Sequence, residues 1–225
     1  MKIIFSDNHV LIISKPSGLA TQPSEHHTDS MEDRAKIWLK ENFDKKGNVF
    51  LHALHRLDTP VSGAVLFART DKALSRLNQS MRDKKHKKIY LAVVEGRPHE
   101  KEGTLRHHHS HHRFTAKVTD RPHEGSKEAV LRYRLLDHRN GLSLLEVELE
   151  TGRYHQIRAQ LSAVGLPIAG DGKYGSKKTL ENGAIALHHH RLTFIHPISK
   201  EPMEITDTPP EYYPWTEFKG HGQVF

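Results

Sequence analysis

The stretch LHALHRLDTPVSGAVLFA, residues 51–68, sets two apolar runs on either side of a polar, turn-rich insert. Residues 49–54 read as a buried strand and residues 64–68 as a second. Between them stand Arg56, Asp58, the step Thr59-Pro60 and the step Ser62-Gly63. Proline restrains the residue before it to extended backbone, so Thr59 has little freedom. Gly63 relieves crowding where the chain re-enters the sheet. An acid held in a stiff loop between two core strands is more than a connection requires, which makes Asp58 a candidate functional group.

Working outward, short strands are expected at 3–5 and 10–13 around Ser6-Asp7-Asn8, ended by Lys15-Pro16-Ser17-Gly18, with a polar loop at 22–28. Residues 30–43 predict a helix: Ser30 and Asp33 resemble a capping box, and Ala35, Trp38, Leu39 and Phe43 share a face. A helix over 71–82 places Leu74, Leu77 and Met81 at helical spacing, with Asp71 in its first turn. A strand at 89–95 is followed by a loop over 97–112 rich in charge and histidine, then strands at 114–118, 129–136 and 142–149. A helix over 154–164 is apolar at Ile157, Leu161 and Val164, with Gly165 as its C′ residue. A last strand at 185–195 precedes a Pro-rich, aromatic tail. Strands come in runs and do not alternate with helices, which predicts an α+β fold with a mostly antiparallel sheet. With no repeat and no Gly/Ser linker, one domain over residues 1–225 is expected.

The chain carries 34 Lys and Arg against 27 Asp and Glu, a formal charge of +7. That balance favours a polyanionic partner such as nucleic acid or an anionic membrane face. The absence of cysteine excludes disulfides, thiolate zinc sites and a thiol nucleophile. No apolar run approaches the roughly 18 residues of a membrane span. The N-terminal apolar segment is too short for a signal peptide, so a cytoplasmic protein is expected.

Two louder signals do not hold up. Residues 170–175, Gly-Asp-Gly-Lys-Tyr-Gly, match G-x-G-x-x-G, but no sufficient strand precedes them and no amphipathic helix follows, so a glycine turn is expected. His107, His108, His109, His111 and His112 crowd one loop, and His188, His189 and His190 lie in a strand. Imidazoles bind metals. Adjacent strand residues, however, point to opposite faces, and no H-E-x-x-H pattern occurs. Solvated histidines that gain charge below about pH 6.5 are expected in the loop, and no catalytic metal.

Four stretches read together: His55-Arg56-Leu57-Asp58 with Ser62-Gly63; Lys88 to Gly96 with Tyr90; Thr151-Gly152-Arg153-Tyr154-His155-Gln156-Ile157-Arg158; and Gly165 to Asp171 with Tyr174-Gly175. In this order they resemble the RluA-type family of RNA pseudouridine synthases, as do the opening DNHVLIISKPSGL and LHHHRLTFIHP at 187–197. Val61 stands where that family usually has Thr, and Gln160 where His is common; neither removes a motif charge. The family's small RNA-binding S4 domain is not expected here. The resemblance implies the pseudouridine synthase fold, a mostly antiparallel mixed sheet flanked by a few helices, with a central catalytic cleft.

The implied chemistry suits the residues. Uracil N1 leaves ribose C1′, the base turns, and C5 bonds to C1′. A glycosidase needs two carboxylates because an alkoxide leaves. A uracil anion delocalises its charge, so one acid suffices, and Asp58 is the only acid in its motif. By resemblance Asp58 is essential, either as nucleophile at C1′ or as base on a ribose proton. Burial opposes its ionisation and a nearby guanidinium restores it; at 4 Å and an effective dielectric of 20 the attraction is about 4 kcal/mol. The resemblance gives that part to Arg158. It gives Tyr90 a place against the uracil ring, and Arg56 the gap left when the uridine flips out of the stack. Lys88, Arg153 and His155 are expected to bind RNA. Reactant and product balance without a cofactor, and none is expected. The expected partner is a tRNA or rRNA stem-loop, with the protein a monomer that touches no membrane. A non-catalytic RNA-binding or RNA-folding module is the competing reading, and a histidine-site metal hydrolase a weaker one.

Overall fold

The computed structural model describes residues 1–25, 28–44 and 46–219. The expected loop at 22–28 thus includes two residues, His26 and His27, outside the described ones. In chain order the elements are β1 (Lys2–Ser6), β2 (Val10–Lys15), α1 (Met31–Asn42), β3 (His52–Ala53), β4 (Ser62–Ala68), α2 (Asp71–Arg82) and β5 (Lys87–Glu95). There follow β6 (Glu102–His112), β7 (Thr115–Thr119), β8 (Lys127–Arg139), β9 (Leu142–Leu149), α3 (Gln156–Ala163), β10 (Leu187–Ile195) and β11 (Pro202–Thr206). The chain divides into two compact units, Met1–Lys87 with His189–Thr208, and Lys88–His188 with the tail from Pro209 on.

In the first unit the strand order is β1-β2-β4-β10, with β3 also on β4 and β11 on β10. β2 and β4 run antiparallel from Val10 opposite Ala68 to Lys15 opposite Gly63. Val10 to Ile13 and Ala64 to Ala68 are all fully buried, on both faces of the sheet. Unbroken apolar runs produce such strands, because side chains alternate and each face needs cover. One face packs against α2: Val10, Ile12, Ala64 and Leu66 meet Ala73, Leu77, Leu192 and Phe194. Burying a side chain such as Leu77 contributes about 1.5–3 kcal/mol. Thr70 caps α2 by accepting the Ala73 N–H at 3.2 Å. Ser30 caps α1, accepting the Asp33 N–H at 3.2 Å while its hydroxyl donates to the Asp33 carboxylate at 2.7 Å.

The second unit carries the order β5-β9-β8-β6-β7. The pairs β5–β9, β8–β9, β6–β8 and β6–β7 are antiparallel. Ala159 of α3 packs on Ala116 of β7 and on Tyr174. In the tail, Trp215 and Phe218 are buried.

The α+β class, both long helices and most strands stand where the sequence put them. Four details differ. Residues 102–112 are strand, not loop. Only His52 and Ala53 of the expected strand at 49–54 pair. The last expected strand begins at Leu187, and β11 adds a hairpin partner that the Pro-rich tail concealed. Among the described residues, no helix is long and apolar enough to cross a membrane.

Candidate active site

In the first unit, Asp58 sits half-buried in a tight turn closed by the Val61 N–H donating to the Asp58 carbonyl at 3.0 Å. The turn is braced by the segment after β2. Thr21 Oγ1 accepts from the Leu57 N–H at 3.0 Å and donates to the Leu57 carbonyl at 2.9 Å. The Gly18 N–H donates to the Thr59 carbonyl at 2.8 Å. Backbone groups on both sides of Asp58 are therefore fixed, which limits where its carboxylate can go. Arg56, on the same turn, is exposed.

The residue that sequence reading missed here is Lys15. Its side chain is 0% exposed. The ammonium donates to the carbonyls of Leu19 at 2.7 Å, Pro16 at 2.9 Å and Thr59 at 3.3 Å, tying the 15–19 segment to the Asp58 turn. Burial draws its pKa down to about 7, against the opposing pull of the Asp58 carboxylate. A positive charge thus lies within electrostatic reach of Asp58 from its own unit.

Behind the turn, the histidine strand is structural. His189 Nδ1 donates to the Ala64 carbonyl at 2.6 Å. His55 Nε2 accepts the Leu66 N–H at 3.3 Å, and the two rings meet edge to face at 5.1 Å. Gly63 has φ +124°, and a Cβ there would lie 2.6 Å from the His189 carbonyl oxygen. Only glycine allows β4 to approach β10 that closely.

In the second unit, Tyr90 lies buried on β5 opposite Val147. Half-buried Lys88 is two residues earlier, on the same face, with its pKa lowered to about 8 by burial. The turn before α3 explains the T-G-R-Y-H-Q pattern. Gln156 Oε1 accepts from the Arg153 N–H at 2.9 Å and from Thr151 Oγ1 at 2.8 Å, while its Nε2 donates to the Val130 carbonyl at 3.1 Å. His155 takes a left-handed conformation, φ 51°, uncommon for a residue with a Cβ. It is held there by a ring stacked on Tyr154 at 3.8 Å and a 2.8 Å hydrogen bond between Nδ1 and the Tyr174 hydroxyl. Arg153 is exposed, with Nε donating to the Glu128 carbonyl at 3.0 Å.

Arg158 points inward, as its place beside the apolar stripe of α3 suggested, and is 5% exposed. Its Nε and Nη2 donate to the two carboxylate oxygens of Asp171 at 2.7 and 2.9 Å. The Tyr174 ring lies 5.0 Å from the guanidinium carbon. The glycine turn at 170–175 is the framework for this clamp. Gly170 has φ +88°, and a Cβ there would lie 2.6 Å from the Ala184 carbonyl oxygen. Asp171 and Tyr174 are thus positioned by a motif whose superficial match to a nucleotide loop hid their purpose.

The His-rich segment needs correction. As part of β6, His107 and His109 turn inward and are buried, while His111 and His112 are exposed. His109 Nε2 donates to the Tyr154 carbonyl at 2.7 Å, and His107 Nδ1 accepts from Gln160 Nε2 at 3.0 Å. These imidazoles serve as core hydrogen-bonding groups, not solvated charge. Among the described residues, no group of three His, Asp or Glu is placed to hold a metal.

A family model described as RNA pseudouridylate synthase matches residues 9–163, a span that holds Asp58, Tyr90 and Arg158. The chain belongs to the RNA pseudouridylate synthase family. Among relatives in this pseudouridylate synthase family, the uncharacterized RNA pseudouridine synthase YhcT of Bacillus subtilis is 36% identical over 204 residues, covering 89% of this chain and 66% of the relative. The ribosomal large subunit pseudouridine synthase D of Zymomonas mobilis is 30% identical over 224 residues, covering 94% of this chain and 70% of the relative. The chain spans about two thirds of the length of such relatives. The solved structure of human RNA pseudouridylate synthase domain containing 4 superposes with a TM-score of 0.78 at 22% identity, covering 96% of this chain and 91% of that one. The pseudouridine synthase fold expected from the motifs is thereby shown.

Proposed function

We propose that this chain isomerises uridine to pseudouridine in a folded RNA, with Asp58 as the catalytic carboxylate. The observation that carries this reading is the family match across residues 9–163, which includes a motif aspartate in a turn braced on both sides. Asp58 attacks C1′ or removes a ribose proton, and both routes need the ionised carboxylate. The N1–C1′ bond breaks, C5 bonds to C1′, the C5 proton departs and N1 regains one, so no cofactor enters.

Tyr90 is proposed to lie against the flipped uracil and Arg158 to stabilise the charge of Asp58. Arg56 is proposed to fill the gap the base leaves. Lys88, Arg153 and His155 would hold RNA, with phosphate contacts setting its register. Large-subunit rRNA is the favoured substrate, because relatives carry that name; a tRNA stem-loop presents the same unstacked uridine chemistry. The chain is proposed to work as a monomeric single domain in the cytoplasm.

The test is Asp58→Asn incubated with total tRNA and with large-subunit rRNA, pseudouridine being read by carbodiimide-based primer extension. Loss of yield by about a thousandfold or more is expected. Unchanged yield would remove Asp58 from catalysis. RNA binding without any yield from the unaltered chain would favour a non-catalytic binding module.

A further inference from the structure

The hairpin of β6 and β7 ends in Arg113 and Phe114, and the Phe114 ring is left in the open. Phe114 is 72% exposed, more than any other large hydrophobic side chain among the described residues. Arg113 adopts φ 50° at the tip. A single exposed aromatic needs no explanation. This one has company. The Phe114 carbonyl accepts from Lys173 Nζ at 3.2 Å and, at a long 3.5 Å, from the Tyr154 hydroxyl. Tyr154 is itself 40% exposed and meets the exposed His111 ring edge on at 4.5 Å. Two aromatic surfaces and the cations Arg113 and Lys173 therefore share one end of the second unit.

The chain segments that carry these side chains bring charge of one sign. Residues 111–119, 152–158 and 172–179 contain no Asp or Glu. The nearest acid along the hairpin, Asp120, comes after β7 and away from the tip. Aromatic faces that stack bases, interleaved with cations that meet phosphates, are what an unpaired RNA strand requires. An acidic protein would use the cations but gain little from an exposed ring. Duplex RNA would use neither ring, because its bases are already stacked.

We propose that the tip of the β6–β7 hairpin is an RNA-contact surface of the second unit, at which Phe114 stacks on an unpaired base while Arg113 and Lys173 hold the flanking phosphates. This rests on the reading that the chain takes RNA, but its test needs no turnover.

Fluorescence anisotropy would follow labelled total tRNA, and a labelled uridine-containing stem-loop, binding the intact chain and the variants Phe114→Leu, Phe114→Tyr and Arg113→Gln/Lys173→Gln. Phe114→Leu is expected to weaken binding about tenfold, and Phe114→Tyr to restore it, because the ring and not its bulk is used. The double variant is expected to reduce the slope of log affinity against log salt by about 1 to 2, the share of two phosphate contacts. Melting curves of all variants should coincide, since these side chains are exposed. Equal affinity of Phe114→Leu and the intact chain, or equal salt slopes, would overturn the proposal, as would failure of the intact chain to bind either RNA. Normal binding behaviour with no pseudouridine formed would leave this surface standing and sink the catalytic reading instead.

Discussion

Lys15 is the residue whose environment says most about how the Asp58 turn is held. A fully buried ammonium is costly, and here three backbone carbonyls offset that cost. Lys15→Met keeps most of the volume but strands the Leu19 and Pro16 carbonyls, each left unsatisfied at about 1–3 kcal/mol, while the Thr59 carbonyl keeps the Gly18 N–H. Urea unfolding of this variant is expected to show a loss of roughly 2–5 kcal/mol. The pH dependence has a definite sign. An unfolded lysine titrates near 10.4, whereas Lys15 in the folded chain is drawn down to about 7. Between these values the unfolded chain binds the extra proton, so stability rises with pH from about 7 to about 10 and levels off below 7. Half-buried Lys88, lowered to about 8, tilts the curve the same way over a narrower range. Lys15→Met should remove most of the slope and leave the part due to Lys88; an unaltered slope would show that Lys15 is not the titrating group. None of this was legible in the sequence, because a lysine at the end of an apolar strand, before Pro-Ser-Gly, ordinarily reaches water. Asp58 could be singled out because its insert lies between two unmistakable core runs.

At the level of elements, helix α3 is anchored by the buried pair Arg158–Asp171. Removing one partner of such a pair leaves an uncompensated charge in the interior, at about 3–5 kcal/mol. Asp171→Asn is therefore expected to lower stability by that amount, and Arg158→Met/Asp171→Asn by less than the sum of its single variants. Additive losses in a double-mutant cycle would show that the clamp contributes no coupling. The helices were legible because their caps and 3.6-residue spacing are local. Ser30 with Asp33, and Asp71 after Thr70, announce themselves within one turn. β6 was not, because its inward positions are His107 and His109, which hydropathy counts as polar although their nitrogens find partners inside. β11 escaped because Pro202 opens it and its residues alternate weakly. Asp171 lies inside a glycine pattern that predicts a turn, but the turn's use as a scaffold for Arg158 depends on packing between segments 13 residues apart.

For the whole molecule, the excess of seven positive charges predicts how RNA binding responds to salt. Each phosphate contact releases a counterion, so affinity should fall steeply between about 50 and 200 mM monovalent salt. Filter binding with total tRNA across that range tests this, and affinity indifferent to salt would contradict a basic RNA-binding surface. The α+β class was legible because consecutive strands pair locally as hairpins and meanders. The division into two interleaved units was not, since nothing in hydropathy says that β10 returns to the flank of β4 after the whole of residues 88–188. That return has a consequence for the nascent chain. β4 leaves the ribosome with all seven residues destined for burial, yet its neighbour β10 is synthesised roughly 6–24 s later at ordinary elongation rates of about 5–20 residues per second. Until then a strand meant for burial along its whole length has a vacant flank, the kind of surface on which chaperones act and other chains nucleate. Messages broken ahead of codon 187 should therefore yield insoluble fragments, whereas those that reach β11 can complete the strand order of the first unit.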